Sequence, residues 1–178
     1  MSNPAIANRY AFALFQVAIE QKLLDQLDTE LRVVREVIQQ NQDFNTLLSS
    51  PKLSKDKKKQ LLQNAFSNAN PFLQNTFNLL VDRGREGLIV QIADHFIELT
   101  NNEKGIAEAT VTSARPLTEK EIKALSKTFA KKLGKKDLRI ENIVDSNLLG
   151  GIKLRVGNRI YDGSVKGKLE RLERQLLR

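Results

Sequence analysis

The chain has 178 residues, 40% of them hydrophobic, and its 29 Lys and Arg against 21 Asp and Glu give a formal charge of +8. It has no cysteine and one histidine, which excludes a disulfide framework, a thiol nucleophile and a metal site built from Cys and His. We therefore expect no metal. The apolar runs are too short to span a bilayer, and the first residues resemble neither a secretory signal nor a transit segment.

The positive charge is concentrated in the second part of the chain. Residues 1–105 hold 12 basic and 12 acidic side chains, whereas residues 106–178 hold 17 basic and nine acidic ones. Such an asymmetry is typical of two units with different partners, and a chain of this length can bury two small cores. We predict two domains, residues 1–105 and residues 106–178.

The first domain is predicted to be a six-helix bundle. A polar cap followed by proline begins the first helix at Pro4 and the fifth at Pro71, while Pro51 ends the third. Apolar residues recur at helical spacing between these signals, with short joints. The predicted helices cover residues 4–19, 23–40, 43–50, 54–66, 70–85 and 87–102.

The second domain is predicted to be a small mixed domain in the order β-α-β-β-α, which makes the whole chain mainly α with a small α+β part. Thr118 and Glu121 form a capping box for its first helix, which ends before Gly134. A last helix begins behind Ser164 and carries apolar residues at heptad spacing: Val165, Leu169, Leu172 and Leu176. The predicted strands cover residues 106–114, 137–144 and 151–156.

A glycine-rich stretch at residues 148–169 has some likeness to a phosphate-binding loop. Only three residues separate Gly163 from Gly167, and Leu169 stands where the loop needs a hydroxyl that binds Mg²⁺. We interpret the glycines as backbone turns, including a hairpin pair at Gly157 and Asn158. No other cofactor motif is present, so we expect no cofactor.

The first helix has an unusually wide apolar surface. At about 100° per residue, one face holds Ile6, Tyr10, Ala13, Leu14 and Val17. A second face, nearly opposite, holds Phe12, Phe15 and Ile19. The fifth helix is nearly as apolar, with Phe72, Leu73, Phe77, Leu79, Leu80 and Val81. Either these helices are buried all round, or together they form a groove for a partner helix. Both interpretations stay open.

Other functions have weaker support in the residues. His95 lies on an apolar stripe without a nucleophile motif or a second ligand, so no catalytic machinery is visible. The basic run at residues 52–60 and the basic second domain make RNA binding the alternative hypothesis. Against it, the second domain offers only Phe129 and Tyr161 for base stacking and no recognisable nucleic-acid module.

Four segments resemble one protein family. They are "RYAFALFQVA" (9–18), "LLVDRGR" (79–85), "EATVTSARPLTEKE" (108–121) and "IENIVDSNLLGGIKLRVGNRIYDGSVKGKLERL" (140–172). The chain is similar over nearly its whole length to the delta subunit of bacterial F-type ATP synthase, a relative of the mitochondrial oligomycin-sensitivity-conferring protein. The paired glycines, the Gly-Asn turn and the Asp-Gly-Ser segment are the most specific part of this resemblance.

The resemblance implies a non-catalytic stator subunit in the peripheral stalk, at the cytoplasmic face of the bacterial cell membrane and attached only through the complex. It implies that the N-terminal helix of an alpha subunit lies in a groove between the first and fifth helices, and that the second domain contacts the C-terminal ends of b-type subunits. No nucleic acid is implied. Carried onto this sequence, the groove residues are Ile6, Tyr10, Ala13, Leu14, Val17, Phe72 and Leu79.

Overall fold

The computed structural model describes residues 4–169 and divides the chain into two compact units, which meet in sequence between Thr100 and Asn101. The predicted boundary at residues 105–106 stays a prediction. The chain is mostly helical with one small mixed sheet, as the sequence predicted at this level. Unit 1 denotes residues 1–100 and unit 2 residues 101–178.

The described residues of unit 1 form helices joined by short turns and contain no strand. A 3₁₀ helix, Glu86–Leu88, precedes α6, whose last residues belong to unit 2. The α-helices are α1 Pro4–Glu20, α2 Leu24–Gln40, α3 Gln42–Ser49, α4 Lys55–Ala65, α5 Pro71–Asp82 and α6 Ile89–Lys104.

The ends of α5 follow from its local sequence. The Asn70 side chain accepts a hydrogen bond from the Phe72 amide at 3.0 Å, and Pro71 occupies the first helical position. At the other end Gly84 adopts φ +62°, and the Arg85 amide donates to the Leu80 carbonyl at 2.8 Å. This left-handed glycine closes the helix and gives Arg85 a defined position.

A continuous apolar core holds the helices of unit 1 together. Phe15 and Phe96 pack edge to face with ring centroids 6.1 Å apart, and Phe66 lies 5.6 Å from Phe77. Burial of each such ring stabilises the fold by about 1.5–3 kcal/mol relative to an exposed ring. Leu27, Leu31, Val34 and Ile38 form the buried stripe of α2.

Unit 2 contains a four-stranded sheet with the strand order β2-β1-β3-β4. The strands are β1 Ile106–Ser113, β2 Asp137–Val144, β3 Ile152–Val156 and β4 Arg159–Asp162. β1 and β2 are parallel and are joined through the helix α7, Glu119–Leu133, whereas the other pairs are antiparallel. The core between α7 and the sheet includes Val111, Ala130, Leu138 and Leu154.

The fourth strand corrects the predicted order β-α-β-β-α. β4 has only four residues, two of them charged, and Ile160 is 66% exposed, so it lacks the alternation of a half-buried strand. The hairpin turn at Gly157 and Asn158 was predicted, but the strand that this turn leads into was not. Pairing with β3 therefore determines β4 more than its own sequence does.

The predicted caps of α7 are confirmed. The Thr118 hydroxyl accepts a hydrogen bond from the Glu121 amide at 3.4 Å, and the Thr118 amide donates to the Glu121 carboxylate at 2.9 Å. Gly134 ends the helix with φ +66°. A helix also begins behind Ser164, as predicted, at residues 165–169; Leu172 and Leu176 lie outside the described residues.

Most glycines of the stretch at residues 148–169 lie in the turns that flank β3 and β4, and Gly167 lies in the helix that follows Ser164. Gly151 adopts φ +79°, and a Cβ atom there would lie 2.5 Å from the Gly163 carbonyl oxygen, so a close backbone crossing requires glycine. The Ser164 hydroxyl accepts a hydrogen bond from the Gly167 amide at 3.1 Å, which is a helix cap. This backbone arrangement agrees with the architectural interpretation of the stretch.

Candidate partner-binding groove

A shallow apolar groove runs between α1 and α5 of unit 1. Its cavity volume is about 260 Å³. The groove is defined by eight residues: Tyr10, Ala13, Leu14 and Val17 from α1, and Phe72, Asn75, Thr76 and Leu79 from α5. Six of the seven residues predicted to form a binding site line it. Ile6 does not line the groove; it is partly buried and packs against the core.

The two sides of α1 have different environments. Its core side holds Ala7, Ala11, Leu14, Phe15 and Ala18, all buried. Ala13 is exposed, and Tyr10 and Val17 are half-buried. Of the predicted second face, Phe15 is buried in the core, whereas Phe12 and Ile19 are 51% and 46% exposed. The helix therefore packs through one stripe and leaves apolar side chains on both flanks of that stripe.

The α5 side of the groove follows from helical spacing. Phe72, Asn75, Thr76 and Leu79 stand at positions i, i+3, i+4 and i+7, which places them on one face. Phe72 and Leu79 are 38% and 44% exposed, while Leu73, Phe77, Leu80 and Val81 are buried on the other side of the helix. Sequence reasoning named the two apolar residues and missed Asn75 and Thr76, although the same spacing points to them.

The hydroxyl groups along the groove are already hydrogen-bonded. The Thr76 hydroxyl donates to the Phe72 carbonyl at 2.8 Å. The Tyr10 hydroxyl accepts a hydrogen bond from Arg85 Nη1 at 3.1 Å, and the Arg85 guanidinium carbon lies 5.9 Å from the centre of the Tyr10 ring. A mainly apolar groove with satisfied hydroxyls suits an apolar helix face better than a polar ligand.

The basic run at residues 52–60 lies mostly in α4, where Lys55, Lys58 and Lys59 bind groups at or just after the end of α5. Lys58 forms an ion pair with Glu86, and Lys59 Nζ lies 2.6 Å from an Asp82 carboxylate oxygen. Lys55 Nζ donates to the Asp82 carbonyl at 2.8 Å. These three cations link α4 to the end of α5 and to the 3₁₀ helix that follows it, so these three do not form an open phosphate-binding patch.

The lysines of α7 are arranged differently. Lys120, Lys123, Lys127 and Lys131 follow one another at i+3 and i+4 spacing, and all four are exposed. None of them has an ion-pair partner among residues 4–169. We call these four residues the α7 lysine row. It contributes to the positive charge that the sequence assigned to the second half.

Metal ligands and membrane-spanning helices were the other features that the sequence raised. Residues 4–169 contain no group of three or more His, Cys, Asp or Glu side chains that could hold a metal ion. His95 is partly exposed, and its Nδ1 atom lies 3.8 Å from a Glu98 carboxylate oxygen. No helix within the same range is long and apolar enough to cross a membrane.

Comparison with known proteins identifies the family. The family described as "ATP synthase delta (OSCP) subunit" matches residues 6–176. The chain belongs to the ATP synthase delta (OSCP) subunit family. ATP synthase subunit delta of Geobacillus sp. (strain WCH70) is 55% identical over 177 residues, which cover 99% of both chains. The subunit of Anoxybacillus flavithermus is 54% identical over 178 residues, covering both chains completely.

A solved structure agrees with the fold of the delta family. A chain of the mitochondrial ATP synthase hexamer of Toxoplasma gondii, determined by cryo-electron microscopy, matches with a TM-score of 0.74. It is 23% identical, and the match covers 97% of each chain. As a delta-family member the chain is a structural subunit of an F-type ATP synthase and not an enzyme. The RNA-binding alternative receives no support from these relatives.

Proposed function

We propose that this delta-family chain is a stator subunit of the peripheral stalk, with unit 1 bound to the catalytic head and unit 2 bound to the stalk. In this proposal the helices of unit 1 act as one six-helix bundle. The N-terminal helix of an alpha subunit lies in the α1–α5 groove. The chain is held at the cytoplasmic face of the bacterial membrane only through the complex.

The α1–α5 groove is the observation that carries the proposal. Apolar side chains of two neighbouring helices line a common cavity of about 260 Å³. Leu14 at its floor is buried, whereas Ala13, Phe72 and Leu79 remain exposed in the chain alone. Exposed apolar surface costs free energy in water, so covering it with an amphipathic helix is favourable by about 25 cal/mol per Å² of apolar area. Ala13 at the centre of the α1 side allows a helix backbone to approach closely.

The stalk contact belongs to unit 2 in this proposal. The α7 lysine row is exposed and has no acidic neighbour within ion-pair distance among residues 4–169. A row of like charges without counter-charges favours an acidic partner and raises the rate of its association. The C-terminal ends of b-type subunits are the proposed partner.

A stator needs strong and durable contacts rather than a reaction. Buried anchor residues carry most of the binding energy of such an interface, and differences in affinity appear mainly in the dissociation rate. A helix that is well packed in an apolar groove therefore dissociates slowly. Binding by both units to different parts of the complex raises the combined affinity through effective concentration. This arrangement resists torque without any catalytic group.

The proposal is tested by titrating the full chain with a peptide of the alpha subunit's N-terminal segment from the same synthase, followed by calorimetry. We expect Ala13→Asp to weaken binding at least 100-fold, because the new carboxylate would be buried against apolar atoms without a partner. That loss corresponds to about 2.8 kcal/mol. Circular dichroism should show an unchanged fold, since Ala13 is exposed in the chain alone.

Ala124→Asp is the matched control, because it makes the same substitution at an exposed helical position of unit 2. This variant should bind the peptide as the unchanged chain does. Equal binding by the unchanged chain and by Ala13→Asp would contradict the proposal that the peptide lies in the groove. So would the absence of binding by a folded chain.

A further inference from the structure

One end of the α1–α5 groove has a cation beside it, because Arg85 contacts the lining residue Tyr10. The Tyr10–Arg85 hydrogen bond joins the N-terminal half of α1 to the end of α5. Arg83, the residue that caps α5, stands two positions before Arg85, and Arg9 stands next to Tyr10. We call this end, where Arg85 contacts Tyr10, the arginine end. Val17 and Phe72 form the other end, about 10 Å away along each helix, where the lining is apolar.

The acidic residues next to these arginines are bound elsewhere. Asp82 pairs with Lys59, and Glu86 pairs with Lys58, so the two carboxylates flanking Arg83 and Arg85 in sequence face α4. Among residues 4–169, Arg85 has no carboxylate within ion-pair distance, and its side chain donates a hydrogen bond to the neutral Tyr10 hydroxyl. The lysines of α4 thereby bind the two carboxylates that are nearest to Arg85 in sequence.

Arg85 is held in place but keeps unused donors. A guanidinium has five N–H donors in a rigid fork, and only one of them reaches Tyr10. The Arg85 backbone amide is fixed by the turn that ends α5, and its side chain lies near the Tyr10 ring. A partly buried guanidinium with free N–H donors suits a carboxylate, because Arg binds carboxylates through two parallel hydrogen bonds.

We propose that Arg85 determines which helix binds and in which direction, by pairing with a carboxylate side chain that the bound helix places at the arginine end. This inference rests on the proposed function and adds the chemistry of the occupant. The partner is an amphipathic helix whose apolar face fills the groove and whose acidic residue lies beside that face. A helix in the reverse direction would place its carboxylate against Val17 and Phe72, where no cation lines the groove.

The test is a double-mutant cycle by calorimetry, with the full chain and the alpha-subunit segment used above. The chain is unchanged or carries Arg85→Gln, and each Asp or Glu of the peptide is changed to Asn or Gln in turn. We expect Arg85→Gln to weaken binding about 10-fold, and Arg85→Lys to restore only part of the loss because Lys lacks the fork. One peptide substitution should lose its effect when Arg85 is absent.

Arg159→Gln is the control, since Arg159 is an exposed arginine of unit 2. It should leave affinity unchanged, and thermal unfolding should show that Arg85→Gln retains the fold. If Ala13→Asp abolishes binding but every peptide carboxylate acts independently of Arg85, the role of Arg85 is overturned while the groove stands. If the unchanged, folded chain does not bind the segment, the proposed function fails, and this inference fails with it.

Discussion

The lysines of α4 and of α7, the two lysine-rich helices, have opposite environments. In α4, Lys58 and Lys59 pair with Glu86 and Asp82, and Lys58 is almost completely buried. In α7, the lysine row is exposed and has no ion-pair partner among the described residues. Lysines of a helix therefore link it to its neighbours where carboxylates pack against them, and otherwise they form a charged surface. We call the Lys58–Glu86 and Lys59–Asp82 ion pairs, with the Lys55–Asp82 hydrogen bond, the α4 lysine contacts.

The α4 lysine contacts also explain why a lysine stands in the first turn of α4. Cations in the first turn of a helix are disfavoured by the helix dipole. Lys55 nevertheless donates to the Asp82 carbonyl at the C-terminal end of α5, where the dipole favours a cation. The unfavourable interaction of Lys55 with the dipole of α4 is thereby offset by its favourable interaction with the dipole of α5.

The largest change in stability is expected when Lys58, the buried lysine of α4, is replaced. Lys58→Met should destabilise unit 1 by about 3–5 kcal/mol, because Glu86 would keep a charge in a site where its side chain is only 12% exposed. Urea unfolding followed by circular dichroism measures the loss. Lys127→Met, at an exposed position of α7, should stay within about 0.5 kcal/mol of the original chain.

The double variant Lys58→Met/Glu86→Gln sharpens this result. Replacing the charge of Glu86 by an amide should recover most of the lost stability, since the uncompensated charge causes most of the cost. Equal stability of Lys58→Met and Lys127→Met would contradict the distinction between the two helices.

A smaller effect of opposite sign is expected from the α7 lysine row. Lys123, Lys127 and Lys131 repel one another at i,i+4 spacing, which costs about 0.2–0.5 kcal/mol per pair. Changing Lys127 to Gln should therefore stabilise unit 2 slightly in low salt, and the gain should shrink at 1 M salt through screening. A clear loss of stability would mean that the row has an acidic partner within the chain.

The smallest change in stability is expected at Glu121, in the first turn of α7, whose carboxylate pairs with Arg115 and not with a lysine. Hydrogen bonds from Arg115 and then from Thr118 lower the pKa of Glu121 to about 2. A lowered carboxylate pKa contributes stability above the unfolded-state pKa near 4.5, and this contribution is lost as pH falls towards 2. Because the pair is exposed, the contribution is small.

Glu121→Gln measures that contribution. The difference in thermal stability between the two chains should be constant above about pH 5 and should vanish as pH falls towards the lowered pKa. A difference that persisted unchanged to pH 2 would show that the charge on Glu121 does not matter. It would then leave the capping geometry alone as the cause.

The caps of α5 and α7 were predictable because they depend on neighbouring residues. Asn70 and Pro71 begin one helix and Thr118 with Glu121 the other, and both pairs act within three positions. β4 was missed for the opposite reason, since its pairing with β3 decides its conformation. The burial of Phe15, beside the exposed Phe12, likewise depends on Phe96 in a distant helix.

By itself, the sequence determined the succession of helices followed by a mixed α and β segment, the caps, the turns at glycine and the two apolar helices. These features depend on local backbone preferences and on periodicity, which short segments carry on their own. Only the tertiary structure decided which apolar residues face the core, which face the groove, and which lysines are neutralised. Lys58 meets Glu86 across 28 positions and Arg85 meets Tyr10 across 75, and only packing brings such residues together.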